Sequence, residues 1–147
     1  MLQQWVCQSL GIPAGSSVPP LLIVSGDASF RRYFRATWEG LSYIAVDAPP
    51  QHENSAAFIN VCDMLRAAGV NAPEIFASDL DKGFLLLEDF GDRQLLPALR
   101  SCQLANDTER AGELYQAVLR TLLLIQHSPE KKRLGPYGRE QLRAEMN

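Results

Sequence analysis

Lysine is scarce in this chain: Lys82, Lys131 and Lys132 are the only three. The 14 lysines and arginines are outnumbered by 17 aspartates and glutamates, and the net charge is −3. That balance excludes a broad basic face, so nucleic acid is not an expected partner. Cysteine is also sparse. Cys7, Cys62 and Cys102 are odd in number and far apart, which argues for reduced thiols in a cytoplasm and against a disulfide framework. The two histidines, His52 and His127, make no ligand pattern with those cysteines, so a zinc site is not expected. No apolar run approaches the roughly 18 residues of a membrane helix, and no membrane partner is expected. Met1-Leu2-Gln3-Gln4-Trp5 has no basic region of the kind that opens a signal peptide.

What remains is ordinary in composition, with 46% hydrophobic and 21% charged residues. A length of 147 residues suits one domain, or a small lobe with part of another. Leu2, Trp5, Val6 and Leu10 recur at helical spacing, and Gly11 and Pro13 close that segment. Gly15-Ser16-Ser17 and Pro19-Pro20 form a linker. Strands are expected at 21–24, about 31–37 and 41–48, the second and third joined at Gly40. A helix follows over 53–68, with Phe58, Cys62 and Leu65 on one face and Gly69 past its end. Residues 73–77 read as a short strand, Asp79-Leu80-Asp81-Lys82-Gly83 as a hairpin turn, and Phe84-Leu85-Leu86-Leu87 as a strand buried on both faces. After Glu88-Asp89-Phe90-Gly91 the pattern turns helical. The longest helix is expected over 108–126, with Leu114, Val118, Thr121, Leu122 and Ile125 as a core stripe. Lys131-Lys132-Arg133 is a solvated basic cluster beyond it. A final helix opens at Arg139 and reaches Asn147 without a cap, which reads as a truncated chain. Short turns between strands imply an α+β fold, with a mostly antiparallel sheet of about five strands, one helix packed on it, and helices after it.

Two stretches carry chemistry. Ser25-Gly26-Asp27-Ala28-Ser29-Phe30-Arg31-Arg32 joins the first two strands through small residues and delivers two arginines. Such a loop can lay backbone N–H groups on phosphates while cations neutralise them. It is not a Walker A loop, because no Gly-Lys-Ser/Thr follows. The second stretch runs from Gly83 to Gly91, a buried strand entering an acidic connector whose main chain can face a purine edge. Alone, each has a plainer reading, a hairpin and an interdomain linker.

Together, with Asp47-Ala48-Pro49-Pro50 and with Gly69-Val70 ahead of Pro73, these stretches resemble the N-terminal part of the aminoglycoside phosphotransferase-like kinases. The match is nearest to the bacterial N-acetylmuramate/N-acetylglucosamine anomeric kinase subgroup. It continues more loosely through Leu134-Gly135-Pro136-Tyr137 and Leu142-Arg143-Ala144-Glu145-Met146. The resemblance implies a protein-kinase-like N-lobe at 21–91 after an N-terminal helix and linker at 1–20, and the start of a helical substrate lobe at 92–147. It implies ATP and Mg2+ as cofactors and a small sugar as substrate. Gly26, Asp27, Ala28 and Ser29 would cover the phosphates. Glu88, Asp89 and Phe90 would be the hinge beside adenine. Ile44, Val46 and Leu87, with Leu86, would wall the base.

Two departures stand out. The third strand carries no lysine for the phosphates, so Arg31 or Arg32 is the expected cation, with solvated edge charges as the plainer alternative. Without that lysine, Glu53 reads as a helix-start charge. The catalytic loop, with its Asp and its magnesium ligands, is absent and expected beyond Asn147. The chain alone is therefore expected to lack kinase activity. Glu88 and Asp89 as paired catalytic carboxylates are disfavoured. The alternatives are a non-catalytic nucleotide-binding or regulatory module, a kinase for aminoglycosides or another small molecule, and an α+β domain with accidental motifs. Leu142, Met146 and part of the 114–125 stripe offer an apolar surface for dimerisation.

Overall fold

The computed structural model describes residues 1–26, 30–129 and 138–146. Asp27, Ala28 and Ser29 of the proposed phosphate loop lie outside them. So do the basic cluster Lys131-Lys132-Arg133 and the stretch Leu134 to Tyr137.

The chain begins with helix α1 (Leu2–Ser9). Strands β1 (Leu22–Gly26), β2 (Arg32–Trp38) and β3 (Leu41–Asp47) follow, then helix α2 (Ser55–Ala67). Strands β4 (Ile75–Asp79) and β5 (Phe84–Glu88) complete the sheet. Helices α3 (Leu95–Ala105), α4 (Thr108–His127) and α5 (Arg139–Glu145) come last. The sheet is antiparallel throughout, in the order β1-β2-β3-β5-β4. This is the α+β, kinase-like sheet the sequence predicts.

Local chemistry explains the joints. Glu39 and Gly40 both take positive φ, +49° and +78°, the conformation that a two-residue hairpin needs between Trp38 and Leu41. The Asp79 carboxylate accepts the Lys82 backbone N–H at 3.0 Å and the Lys82 ammonium at 2.6 Å, which pins the β4–β5 turn. The Asn54 side chain accepts the Ala57 N–H at 2.9 Å and caps α2. Gly69, with φ +78°, ends it.

Strand alternation gives the sheet two apolar faces. Ala36, Ala45, Phe84 and Leu86 point to one, where Leu2 and Val6 of α1 cover them. Val46, Leu85 and Leu87 point to the other, against Phe58 and Ile59 near the start of α2. The N-terminal helix is thus part of the sheet's core, a second helix on a face the sequence leaves uncovered.

One expectation fails. The 114–125 stripe is not core in this chain: α4 holds no buried residue, and Leu119, Leu122, Leu123, Leu124 and Ile125 are exposed. The helix packs mainly on α3, and a single neighbouring helix covers only part of so wide a stripe.

Candidate functional site

The end of the glycine-containing loop is tied to the start of α2. The Glu53 carboxylate accepts the Phe30 backbone N–H at 3.2 Å and pairs with the Arg31 guanidinium at 2.9 Å. The Arg31 guanidinium also lies 5.5 Å from the centre of the Phe58 ring, and Phe30 stacks on His52 at 4.1 Å. Glu53 is therefore not a simple helix-start charge. It is the anchor of the loop, using an arginine where the sequence offers no strand lysine. Its side chain is only 11% exposed, so the pair is sheltered from solvent screening.

Arg32 leaves the strand on the opposite side. It stands across from Asp47 on β3, pairs with that carboxylate, and lines a hollow with Gln3 and Phe34 beside α1. Both arginines are ion-paired, Arg31 in a sheltered pair and Arg32 with 67% of its side chain exposed. Of the two, Arg31 is the one on the α2 face.

A second network holds the connector after β5. The Asp89 carboxylate receives four donors: Arg35 Nε at 2.6 Å, Arg35 Nη2 at 3.0 Å, Ser42 Oγ at 2.6 Å and the Gly91 N–H at 2.8 Å. Arg35 also reaches Asp92 at 2.9 Å. The Arg35 guanidinium, with help from Ser42 and Gly91, holds the Asp89 carboxyl at about 2, against an ordinary 3.8. The Arg35 guanidinium is correspondingly raised by its hydrogen bonds to Asp89 and Asp92.

The depressed value has a pH consequence. An acid whose folded pKa lies below its unfolded one stabilises the fold above the unfolded value. That contribution fades as pH falls from about 4 through about 2. The stability gap between the native chain and Asp89→Asn is therefore expected to be full at pH 6 and to shrink between pH 4 and pH 2. Urea midpoints across that range check it; a gap that does not change with pH would rule it out.

Glu88 goes elsewhere. Its carboxylate accepts the Glu74 N–H at 3.1 Å, and Arg66 lies 3.8 Å away. Adjacent residues on a strand end point apart, so Glu88 and Asp89 do not converge as a catalytic pair. Ile44, Val46 and Leu87 do share the α2 face. Leu86 does not: as the intervening residue it points at α1. Val46 and Leu87 are sealed, at 1% and 4% exposure, while Ile44 is half-buried. Phe90 is exposed, and Gly26 ends β1. Arg35 and Ser42 escaped the sequence reading. The signal for Arg35 was parity, since on β2 it shares the side of Tyr33, which packs on the α2 face.

Among the described residues no group of three His, Cys, Asp or Glu side chains could hold a metal ion. Nor is any described helix long and apolar enough to cross a membrane.

Comparison with known proteins adds a family. The model of the phosphotransferase enzyme family matches residues 21–147. An N-acetylmuramate/N-acetylglucosamine kinase of Pseudomonas aeruginosa is 40% identical over 88% of this chain and 37% of its own length. Proteins of the same name match from Pseudomonas putida, at 38% identity over 92% of the chain, and from Neisseria meningitidis, at 34% over 86%. Each is matched over 37% of its own length, so the chain spans little more than a third of these curated relatives.

Proposed function

Since the chain belongs to the phosphotransferase enzyme family, we propose that it is the ATP-holding part of a small-molecule kinase. The phosphoryl acceptor in this reading is a sugar hydroxyl, the anomeric hydroxyl of an N-acetylated amino sugar, in cytoplasmic cell-wall recycling. The names of the relatives support that acceptor. In this reading Gly26, Asp27, Ala28 and Ser29 cover the phosphates and the main chain of Glu88, Asp89 and Phe90 meets the adenine edge. Ile44 is the base wall that keeps open surface.

The observation that carries the proposal is the Glu53–Arg31 tie. A guanidinium held just after the loop, on the α2 face, supports the reading in a chain whose third strand has no lysine. A guanidinium there neutralises phosphate charge and offers a donor fork. The chemistry of phosphoryl transfer is mostly positioning and electrostatic stabilisation, and this lobe supplies the nucleotide's share of it. Magnesium accompanies the ATP, with its protein ligands assigned outside the described residues.

An amide NMR titration of the chain with ATP, with and without magnesium, tests the reading. Shifts are expected in 26–32 and 86–91, without turnover. Arg31→Ala should weaken ATP about tenfold or more, the loss of one charge-assisted contact. Arg32→Ala, on the far side of β2, should change affinity by less than about twofold. Equal effects from the two arginines would overturn the assignment of Arg31, and an absence of shifts would overturn the nucleotide reading.

A further inference from the structure

We propose that Arg35 and Asp89 form a clamp that sets the connector against the sheet, and that Arg35 is a positioning residue for the nucleotide base. The proposal rests on the nucleotide reading above.

The clamp lies on one rung of the sheet. Arg35 of β2 stands across from Ile44 of β3, and Ile44 stands across from Leu87 of β5. Arg35 therefore shares the face of the half-buried Ile44. From that rung its guanidinium grips Asp89 with two nitrogens, a bidentate geometry that fixes distance and angle together. Ser42, at the start of β3, holds one oxygen of the same carboxylate, and the Gly91 N–H takes the other. Ser42 and Arg35, 47 and 54 residues from Asp89 in sequence, thus converge with the nearby Gly91 on one side chain. With its lone pairs engaged and 5% of its side chain exposed, Asp89 is neither a proton acceptor nor a metal ligand in this arrangement. Its work is geometric. It decides where the backbone of Phe90 and Gly91 runs relative to Ile44.

The same guanidinium reaches past Gly91 to Asp92, whose side chain is 79% exposed. That arm extends the hold toward α3 but is open to water and salt, so it contributes little. The clamp has one firm arm and one loose arm, and the two can be separated by mutation.

The test uses the whole chain. Arg35→Lys keeps the charge but loses the fork, and Asp89→Asn keeps the shape but loses the charge. Amide hydrogen exchange at Gly91 is expected to rise about tenfold in Arg35→Lys, with exchange at Ala36 and Ala45 in the interior strands unchanged. ATP dissociation constants should rise about tenfold in both variants and by less than twofold in Asp92→Asn. Faster exchange everywhere in the sheet would mean a structural loss only and overturn the positioning role. Gly91 exchange within twofold of the native chain would overturn the clamp. Native ATP affinity in a variant whose connector has loosened would overturn the positioning role. A native chain that takes up no ATP overturns the nucleotide reading, and the exchange data then decide the clamp by themselves.

Discussion

Gly83→Ala is expected to bring the chain to the edge of unfolding. Gly83 sits at the end of the β4–β5 turn with φ +71°, a conformation that costs a residue with a side chain about 1–2 kcal/mol. Space makes matters worse. A Cβ there would stand 1.8 Å from the Ala48 carbonyl oxygen, 2.7 Å from its carbon and 3.1 Å from Pro50 Cδ. The obstacle is backbone, and it is held in place, because the Ala48 N–H donates to the Gly83 carbonyl at 2.9 Å. Relieving the overlap means pushing the end of β3 away from the turn, at roughly the 1–3 kcal/mol of an overpacked core. Together these reach about 2–5 kcal/mol, at the upper end a large part of the 5–15 that a typical domain has. Gly40→Ala is the control. It has the same strain at φ +78° but nothing within 4 Å, so about 1–2 kcal/mol is expected. Equal urea midpoints for the two variants would show that the Ala48 contact does not matter.

Leu86→Ala should cost about 3–4 kcal/mol, within the range for truncating a buried leucine. Leu86 is fully buried, paired with Ala45 on one side and Ala77 on the other, in the cluster that includes Leu2 and Val6. Its two cross-strand neighbours are alanines, so they have no bulk with which to fill the space left behind. The cavity would open beneath α1, and that helix is expected to detach before the sheet melts. Hydrogen exchange at Val6 would report it, and the urea midpoint would report the total. Leu104→Ala, at an 87% exposed site, should stay within about 0.5 kcal/mol of the native chain. A loss below about 1 kcal/mol for Leu86→Ala would contradict the packing described.

Much of the sheet was legible because its signals are local. The turn at Gly40 and the Asp79–Gly83 turn each act within a few residues, and each falls where composition puts it. The faces of β5 were not legible. A run such as Phe84-Leu85-Leu86-Leu87 is apolar at every position, so it hides the alternation that sends Leu86 to α1 and Leu87 to α2. The place of α1 was hidden too, since nothing in a short amphipathic segment says which surface it will cover. The networks of the candidate site depend on pairs 54 and 23 residues apart, Arg35 with Asp89 and Phe30 with Glu53. Register, which brings such pairs together, is a property of the assembled sheet. The same limit hides the role of Glu53: β3 carries no lysine, and its cationic partner, Arg31, comes from the end of the loop.

The ladder has one further property. Its interior pairs, β2–β3 and β3–β5, run without interruption. Its two outer strands do not. The pairing of β1 skips Val24, and that of β4 skips Phe76, so each margin carries one surplus residue. Leu22, Ile23 and Phe76 are exposed on those margins. A flat margin so apolar would be a template on which a second molecule could add strand to strand. The surplus residues twist and break the row of unpaired amides, so the places most open to stacking into fibres are the places where continuous pairing is interrupted. Solubility is thereby built into the outline of the sheet.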